Sequence, residues 1–343
     1  MALHFGTFLL LQSPSAAPSA EVYARGIEMA QAAEALGFRN VWLAEHHFST
    51  YGYLSRPVQL ATHIAARTTR LRVGTAVIVV PLHHPLVVAE EIATLDLLAG
   101  GRVDIGLGRG YQRYEFERLG LDLDSGRGRW EEAVDVILQA LEGRPFTYEG
   151  KFFRIPETTI FPHPVQRPRP PIWITAQSPE SLEAAVRRGF HVLTGGFGVP
   201  LERLAEFRRL FDRHVAELGP AHPPAVGVQR AVYVTESAAD ARAAAEEARW
   251  NMRVTLSLRH GYERVEEGHA IPVPAPSEPD VDDLLDRFLV IGTPDTCIRQ
   301  IGKIRDQVGI THFNSSFWFG DLSHARVLRS MELFAREVMP AFR

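Results

Sequence analysis

The chain has 343 residues, of which 45% are hydrophobic and 23% are charged, and its net charge of −4 completes a composition typical of a globular protein with a large core. Acidic and basic residues are interspersed without a Lys/Arg block, which argues against a nucleic-acid partner and against binding to an anionic membrane. No segment reaches the ~20 apolar residues of a membrane span, and the single cysteine, Cys297, excludes an intrachain disulfide and fits a cytoplasmic location.

Short apolar segments alternate with longer segments of helical spacing from the N-terminus onward. The first, residues 3–11, is followed by small residues as in a signal peptide, but no Lys or Arg precedes it, and we predict a buried strand. A helix over 20–36 should end at Gly37, because glycine readily closes helices. The remaining elements of the first half are predicted at 40–45, 57–67, 71–80, 85–98, 102–107 and 127–141, with a small hairpin at 145–154.

The second half continues this alternation. Strands are predicted at 171–176, 191–194, 226–235 and 312–319, and helices at 179–188, 201–218, 238–258, 293–308 and 322–338. Eight strands, each followed by a helical segment, indicate a parallel sheet with right-handed crossovers. Because the strands are almost continuously apolar, both faces of the sheet should be buried. We therefore predict the α/β class and a (β/α)₈ TIM barrel with insertions, forming a single domain over residues 1–343.

Two segments lie outside this alternation. Residues 13–19 form a loop of Pro, Ser and Ala after the first strand. Residues 261–286 are long and polar, with four prolines between Pro272 and Pro279. Loops of this length in a compact domain are usually lids or disordered segments. We predict a mobile lid over 261–286.

Candidate catalytic residues are sought at the ends of the predicted strands, because the active site of a TIM barrel lies at its C-terminal face. The second strand ends in Glu45-His46-His47-Phe48. Adjacent strand residues point to opposite sides, so one histidine could face a reacting centre. Histidine is suited to proton transfer near neutral pH. The alternative is one histidine at the edge of the core and one at the surface, and a metal site lacks a set of three convergent ligands.

A second group of residues suggests an anion site. Gly106-Leu107-Gly108-Arg109-Gly110 follows the fourth strand but does not match the dinucleotide-binding pattern, because a tyrosine takes the position of its last glycine. Arg109 lies at a strand end, where its guanidinium can pair with a phosphate. Arg127 opens the next helix, and Ser178 and Ser181 lie in the first turn of a helix, where exposed amides favour phosphate. Each alone could be an ordinary surface or capping residue, but together they indicate a phosphate site.

These segments resemble those of the bacterial luciferase-like flavin monooxygenases. The resemblance rests on residues 41–48 and 73–79, on the Gly-x-Gly-Arg-Gly-Tyr turn at 106–111, on 291–294 and on the C-terminal 338–342. It covers the whole chain in order and is strongest to the luciferase alpha subunit and its FMN-using relatives. It implies a two-component monooxygenase, in which a separate flavin reductase supplies FMNH₂, O₂ adds at the flavin C4a, and the C4a-peroxyflavin oxygenates a small organic substrate. A homodimer is also expected.

The resemblance implies a role for individual residues. His46 matches the histidine that the family needs for its oxygen chemistry, and the bond between Ala76 and Val77 matches a non-proline cis peptide beneath the flavin ring. The segment 261–286 matches a lid that shields the site. The residues implied to bind the flavin are Ala76, Val77, Arg109, Tyr111, Arg127, Gln177, Ser178 and Ser181.

Two positions depart from the luciferase alpha subunit, and two alternative functions stay open. Gly108 stands where that subunit has a reactive cysteine, and Gln177 stands where it has a glutamate. Monooxygenation is still expected, but efficient light emission and a preference for long-chain aldehydes are not implied. The first alternative is a dehydrogenase or reductase of the same superfamily that uses the deazaflavin F420. The second is a non-catalytic flavin-binding subunit like the luciferase beta chain, which lacks the long lid.

Overall fold

The computed structural model describes residues 2–176, 178–220 and 222–343. Its strands, in chain order, are β1 (His4–Leu9), β2 (Asn40–Leu43), β3 (Arg72–Thr75), β4 (Ile78–Val79), β5 (Val103–Gly108), β6 (Phe146–Glu149), β7 (Arg154–Thr158), β8 (Ile172–Thr175), β9 (His191–Gly195), β10 (Val226–Val234), β11 (Arg264–Glu266), β12 (His269–Ile271), β13 (Val290–Gly292) and β14 (His312–Ser316). Its helices are α1 (Ser19–Ala35), α2 (Pro57–Ala65), α3 (Pro85–Leu98), α4 (Arg113–Arg118), α5 (Gly126–Leu141), α6 (Pro179–Arg188), α7 (Leu201–Leu218), α8 (Ala238–His260), α9 (Val281–Asp283), α10 (Pro294–Val308) and α11 (His324–Leu333).

Eight of the strands close into a parallel barrel. Their order is β1, β2, β3, β5, β8, β9, β10 and β14, and β14 pairs back onto β1. Helices connect successive barrel strands, so every crossover runs in the direction that a parallel pairing requires. The predicted (β/α)₈ barrel is confirmed. All eight strands end at the same face, and this face carries the residues discussed below.

Both faces of the barrel sheet are buried, as the apolar strands predict. Val41 and Val73 belong to the main hydrophobic cluster, which the strands share with the surrounding helices. The neighbouring Trp42 points the other way, into the barrel, where its ring packs edge-on against Trp173 with 5.4 Å between centroids. This alternation along β2 follows from the two-residue period of a strand.

Several predicted elements end earlier than expected or are interrupted. Strand β2 ends at Leu43, before the two histidines, and the predicted strand 71–80 is divided into β3 and β4 by a cis peptide bond between Ala76 and Val77. The last barrel strand ends at Ser316. Helix α4, which follows β5, is not predicted from the sequence at all, because its six residues show no apolar period.

The segment 261–286 is more structured than a loop. Strands β11 and β12 form an antiparallel hairpin, and α9 continues into a wide helical turn over Leu284–Phe288. The hairpin turn consists of Glu267 and Gly268, both with positive φ, as a tight two-residue turn requires. The expectation of an irregular loop is therefore wrong for these residues, and the mobility of the segment stays a prediction.

A closed hydrogen-bond ring holds α8 over the mouth of the barrel. The Gln12 side chain donates to the carbonyl of Gly320 at 3.0 Å, and the Gly320 N–H donates to Asn251 Oδ1 at 2.8 Å. The Asn251 amide in turn donates to Gln12 Oε1. All three contacts are buried, which makes each bond expensive to lose. The ring joins the loops after β1 and β14 to the middle of α8.

Candidate active site

The carboxylate of Glu45 organises the loop that follows β2. Its Oε1 accepts from His47 Nε2 at 2.9 Å and from His83 Nε2 at 2.6 Å, and its Oε2 accepts from the Val79 N–H at 2.9 Å. Burial by itself would raise the pKa of Glu45, but the hydrogen bonds from His47, His83 and Val79 outweigh it and lower this pKa to about 2. Glu45 is therefore ionised, and it ties the ends of β2 and β4 together.

His46 has an entirely different set of partners. Its Nδ1 lies 3.0 Å from Oε1 of Glu115 and 2.9 Å from the amide nitrogen of Gln112. Its ring packs against Tyr51 at 4.7 Å and Tyr111 at 6.1 Å between centroids. His46 and His47 thus have different partners, but the predicted strand alternation is not the reason, because β2 ends three residues before His46.

Two tyrosines form a hydrogen-bonded wall beside His46. The Tyr51 hydroxyl lies 3.2 Å from the Tyr111 hydroxyl and 2.9 Å from Oγ1 of Thr255 on α8. The guanidinium of Arg259 lies 5.1 Å from the centre of the Tyr111 ring. Burial raises the pKa of both tyrosines, and that of Tyr111 well above its usual value, so both hydroxyls stay protonated. Leu10, Val254 and Leu258 complete an apolar lining.

The peptide bond between Ala76 and Val77 is cis, as predicted. Strand β5 passes close to this bond, and its glycines make the approach possible. A Cβ on Gly106 would lie 2.1 Å from the carbonyl oxygen of Thr75, and a Cβ on Gly108 would lie 2.2 Å from Cγ2 of Val77. Gly108 and Val77 are therefore matched in size. A cysteine at position 108, as in the luciferase alpha subunit, would require a smaller or displaced neighbour at 77.

The residues predicted for a phosphate site lie at the starts of α5 and α6. Arg109 is exposed, and its Cγ lies 3.7 Å from where a Cβ on Gly126, the first residue of α5, would be. Ser178 caps α6: its hydroxyl accepts from the Ser181 N–H at 3.3 Å, and the Ser181 hydroxyl accepts from the Ser178 N–H at 3.1 Å. Gln177 lies outside the described residues.

A carboxylate occupies the N-terminus of α6. The pKa of the Glu180 carboxylate is lowered by its own backbone N–H, by the Ser178 hydroxyl and by the nearby Arg127 guanidinium. Arg127 is exposed and makes a long contact of 3.9 Å with Glu131. Glu180 is fully exposed and can move away. Its carboxylate therefore marks a position where the helix amides, a hydroxyl and an arginine attract an anion.

A cavity of about 520 Å³ lies between the histidine loop and the β11–β12 hairpin. Both His46 and His47 line it, although their ring nitrogens bind different carboxylates. Thr50 joins its two sides: the Thr50 N–H donates to the Gly268 carbonyl at 2.8 Å, and Thr50 Oγ1 accepts from the Ala270 N–H at 3.0 Å. Its size is in the range of small-molecule sites. Within the described residues, no group of three or more His, Cys, Asp or Glu is arranged to hold a metal ion.

Comparison with known proteins identifies the family of this chain. The profile of the luciferase-like monooxygenases matches residues 3–312. The chain belongs to the luciferase-like monooxygenase family. It is 29% identical to the oxygenase component of the flavin-dependent trigonelline monooxygenase of Acinetobacter baylyi, over 94% of this chain and 90% of that protein. It is 26% identical to the alkanal monooxygenase alpha chain of Photorhabdus laumondii, over 98% of this chain and 97% of that protein.

A solved structure supports the same assignment. The monooxygenase RslO1 from Streptomyces bottropensis superimposes with a TM-score of 0.87 at 28% identity, covering 99% of this chain and 100% of that chain. The protein is therefore an oxidoreductase of the monooxygenase class. In the part of the chain that the structure describes, no helix of this luciferase-like monooxygenase combines the length and apolarity that crossing a bilayer requires.

Sequence reasoning missed three residues that shape the site of this luciferase-like monooxygenase. Glu115 and Gln112 lie 69 and 66 positions from His46 in the chain, and no local pattern connects them. Thr50 joins the hairpin through its backbone and its hydroxyl, and an isolated threonine in a loop carries no such signal. The only available indication was that the turn ending in Tyr111 and the histidine segment both follow barrel strands, whose ends meet at one face.

Proposed function

We propose that this chain is the oxygenase component of a two-component flavin monooxygenase, which binds FMNH₂ from a separate reductase and oxygenates a small organic substrate with O₂. When bound, the reduced flavin supplies the electrons that split O₂ between the substrate and water. The relative from Acinetobacter baylyi is itself named an oxygenase component, which supports a reductase partner. F420 remains the alternative cofactor. The observation that carries the proposal is the anion position at the start of α6.

The residues fit a phosphate-bearing flavin. The lowered pKa of the Glu180 carboxylate supports an anion site at the N-terminus of α6 beside Arg127, where a phosphate can replace this exposed side chain. Arg109 follows β5 directly, beside the first turn of α5. Strand β5 has glycine at positions 106 and 108, next to Ala76 and Val77. We assign the phosphate to the edge formed by Arg109, Arg127, Ser178 and Ser181. We assign the ring system to the side of Ala76 and Val77, together with Tyr111 and Gln177.

The remaining residues then have specific tasks. His46 is a proton donor and acceptor beside the reacting atoms, because its ring packs against Tyr111 on the side assigned to the ring system and is held by a buried carboxylate. The tyrosine wall and the apolar residues of α8 exclude water from the mouth. The hairpin lines one side of the cavity, and we assign it the role of the lid. Glu45 does not take part in proton transfer, since it is ionised and saturated with donors.

Anaerobic titration with reduced FMN tests the assignment of the phosphate edge. Arg109→Ala and Arg127→Ala should each weaken binding by about 1.5–3 kcal/mol, the usual scale for a hydrogen bond to a charged group. Reduced riboflavin lacks the phosphate, so its affinity should be the same in both variants and in the wild type. Arg113→Ala is the matched control, because Arg113 is exposed on α4 and pairs with Asp124 at 3.3 Å.

Three results would redirect the proposal. Equal losses for FMN and riboflavin would show that the arginines do not contact the phosphate. Binding of F420 in preference to both flavins would favour the dehydrogenase or reductase alternative. Flavin binding without any change in its reaction with O₂ would favour a non-catalytic subunit.

A further inference from the structure

We propose that Glu115 is a positioning residue, whose carboxylate keeps a proton on Nδ1 of His46 so that Nε2 is the nitrogen presented to the reacting atoms. The chemical meaning of this inference rests on the proposed function, since it assigns a partner to the proposed acid–base residue. The arrangement itself is a property of the protein without flavin. It can therefore be measured separately.

The carboxylate of Glu115 is buried and sits between the two histidines. Glu115 is 1% exposed, and its Oε1 accepts from the His47 backbone N–H at 2.9 Å and lies 3.0 Å from His46 Nδ1. An ionised carboxylate is an acceptor only, and burying it is costly unless donors surround it. The His47 N–H supplies one donor. Nδ1 of His46 supplies the second only if it carries a proton.

Gln112 is the other neighbour of His46 Nδ1, and the orientation of its amide determines whether Nδ1 can carry a proton. Its amide nitrogen lies 2.9 Å from His46 Nδ1 and 3.5 Å from the Tyr111 hydroxyl, while its Oε1 is buried and has no partner among the described residues. Amide oxygen and nitrogen are interchangeable in shape. Rotating the amide by half a turn places Oε1 against Nδ1 and the Tyr111 O–H, which can both donate to it. Both neighbours of Nδ1 are then acceptors, and the single Nδ1–H donates to Glu115 Oε1 with Gln112 Oε1 as a second acceptor that shares the same hydrogen.

The two ring nitrogens of His46 therefore have different roles. A neutral His46 carries its proton on Nδ1 and keeps the lone pair on Nε2, whereas free imidazole rings favour the opposite tautomer. When Nε2 gains a proton, the Glu115 carboxylate stabilises the imidazolium. His46 lines the cavity together with Gly52, and a Cβ on Gly52 would be 3.3 Å from His46 Cδ2, the ring carbon bonded to Nε2.

Nitrogen-15 NMR of histidine-labelled, flavin-free protein at a pH where the ring is neutral tests the inference. The His46 signals are identified by their absence in His46→Asn. The wild type should show the Nδ1–H tautomer. Glu115→Gln keeps an acceptor oxygen and should keep this tautomer, whereas Glu115→Leu should convert it to mainly Nε2–H. Glu117→Leu, on the exposed side of the same helix, should change nothing.

A second readout uses the flavin. Glu115→Leu should speed the reoxidation of bound reduced FMN by O₂ in the same direction as His46→Ala, because both variants disturb the same acid–base group. Glu115→Gln should stay nearer to the wild type. An Nε2–H tautomer in the wild type, or an Nδ1–H tautomer retained in a folded Glu115→Leu, overturns the inference. If the tautomers follow expectation and reduced FMN does not bind, the inference stands and the proposed function fails.

Discussion

At the scale of single residues, the adjacent histidines His46 and His47 at the barrel mouth have different roles. His47 and His83 share one oxygen of the Glu45 carboxylate, whereas His46 belongs to Glu115 and Gln112. The first set stabilises the loop, because it keeps a buried charge supplied with donors. The second set leaves one imidazole nitrogen available for chemistry.

Replacement of each histidine should therefore have a different effect. His47→Ala removes a donor from the buried Glu45 carboxylate and should lower the free energy of unfolding by about 1.5–3 kcal/mol. His46→Ala should keep the fold and most flavin affinity but release hydrogen peroxide instead of oxygenating substrate. Chemical denaturation and a peroxide assay measure the two effects. The assignment is wrong if only His47→Ala uncouples the reaction.

Sequence reasoning reached the residues that a pattern or a resemblance could mark. The cis bond at Ala76–Val77 is found as predicted, and His46 and His47 have different partners. The buried partner Glu115 could not be predicted, because its role depends on a contact between residues 69 positions apart. The flavin contacts of Arg109, Arg127, Ser178 and Ser181 stay predictions.

At the scale of elements, the β11–β12 hairpin is attached to the histidine loop mainly through Thr50. Thr50→Val preserves the shape of the side chain but removes the acceptor for the Ala270 N–H. The docked state should lose about 1 kcal/mol, the net value of one neutral hydrogen bond. Hydrogen exchange at the Ala270 amide should therefore accelerate by roughly fivefold.

Ser49 supplies the control for this experiment. Its hydroxyl is next in the chain and has no hydrogen-bond partner among the residues that the structure describes. Ser49→Ala should leave exchange at Ala270 unchanged. Equal exchange rates in Thr50→Val and the wild type would mean that the side-chain bond does not hold the hairpin.

The elements also show why the predicted boundaries succeed in one place and fail in another. Helices α3, α6 and α7 begin and end where the sequence predicts, because proline precedes or opens each one and glycine or alanine closes it. The hairpin was not predicted because its strands are only three residues each, too short to show a period, and because four prolines follow it in the sequence. Helix α4 was not predicted either, because it has only six residues.

At the scale of the whole molecule, His312, a half-buried histidine at the start of β14, makes stability depend on pH. Burial, together with the charges of His4, Arg39, His191 and Arg72, lowers the pKa of His312 from 6.5 to about 3. The unfolded chain then binds a proton between pH 6.5 and pH 3 that the folded chain does not bind. Stability is therefore complete above pH 6.5 and declines as the pH falls through this window.

This dependence can be measured by denaturation at several pH values. Through His312 alone, the free energy of unfolding should fall by about 2 kcal/mol between pH 7 and pH 5. His312→Asn should flatten this part of the profile, although the variant can have a lower stability throughout. His222→Gln, at an exposed position, should leave the profile unchanged. An equally steep profile in His312→Asn would contradict the assignment.

The exposed surface is consistent with the expected homodimer, which stays a prediction. Val87, Leu97 and Leu98 lie on α3 and are between 49% and 61% exposed. Apolar side chains on one helix are typical of an interface between chains.

The central claim is that the barrel mouth holds reduced flavin and controls its reaction with oxygen. Rapid mixing of the anaerobic complex of the protein and FMNH₂ with O₂, monitored by the return of oxidised-flavin absorbance, tests this claim most directly. The account predicts that the absorbance returns more slowly than with free FMNH₂, and that His46→Ala removes most of the delay. Reoxidation at the rate of free flavin, in wild-type protein that has bound FMNH₂, would contradict it.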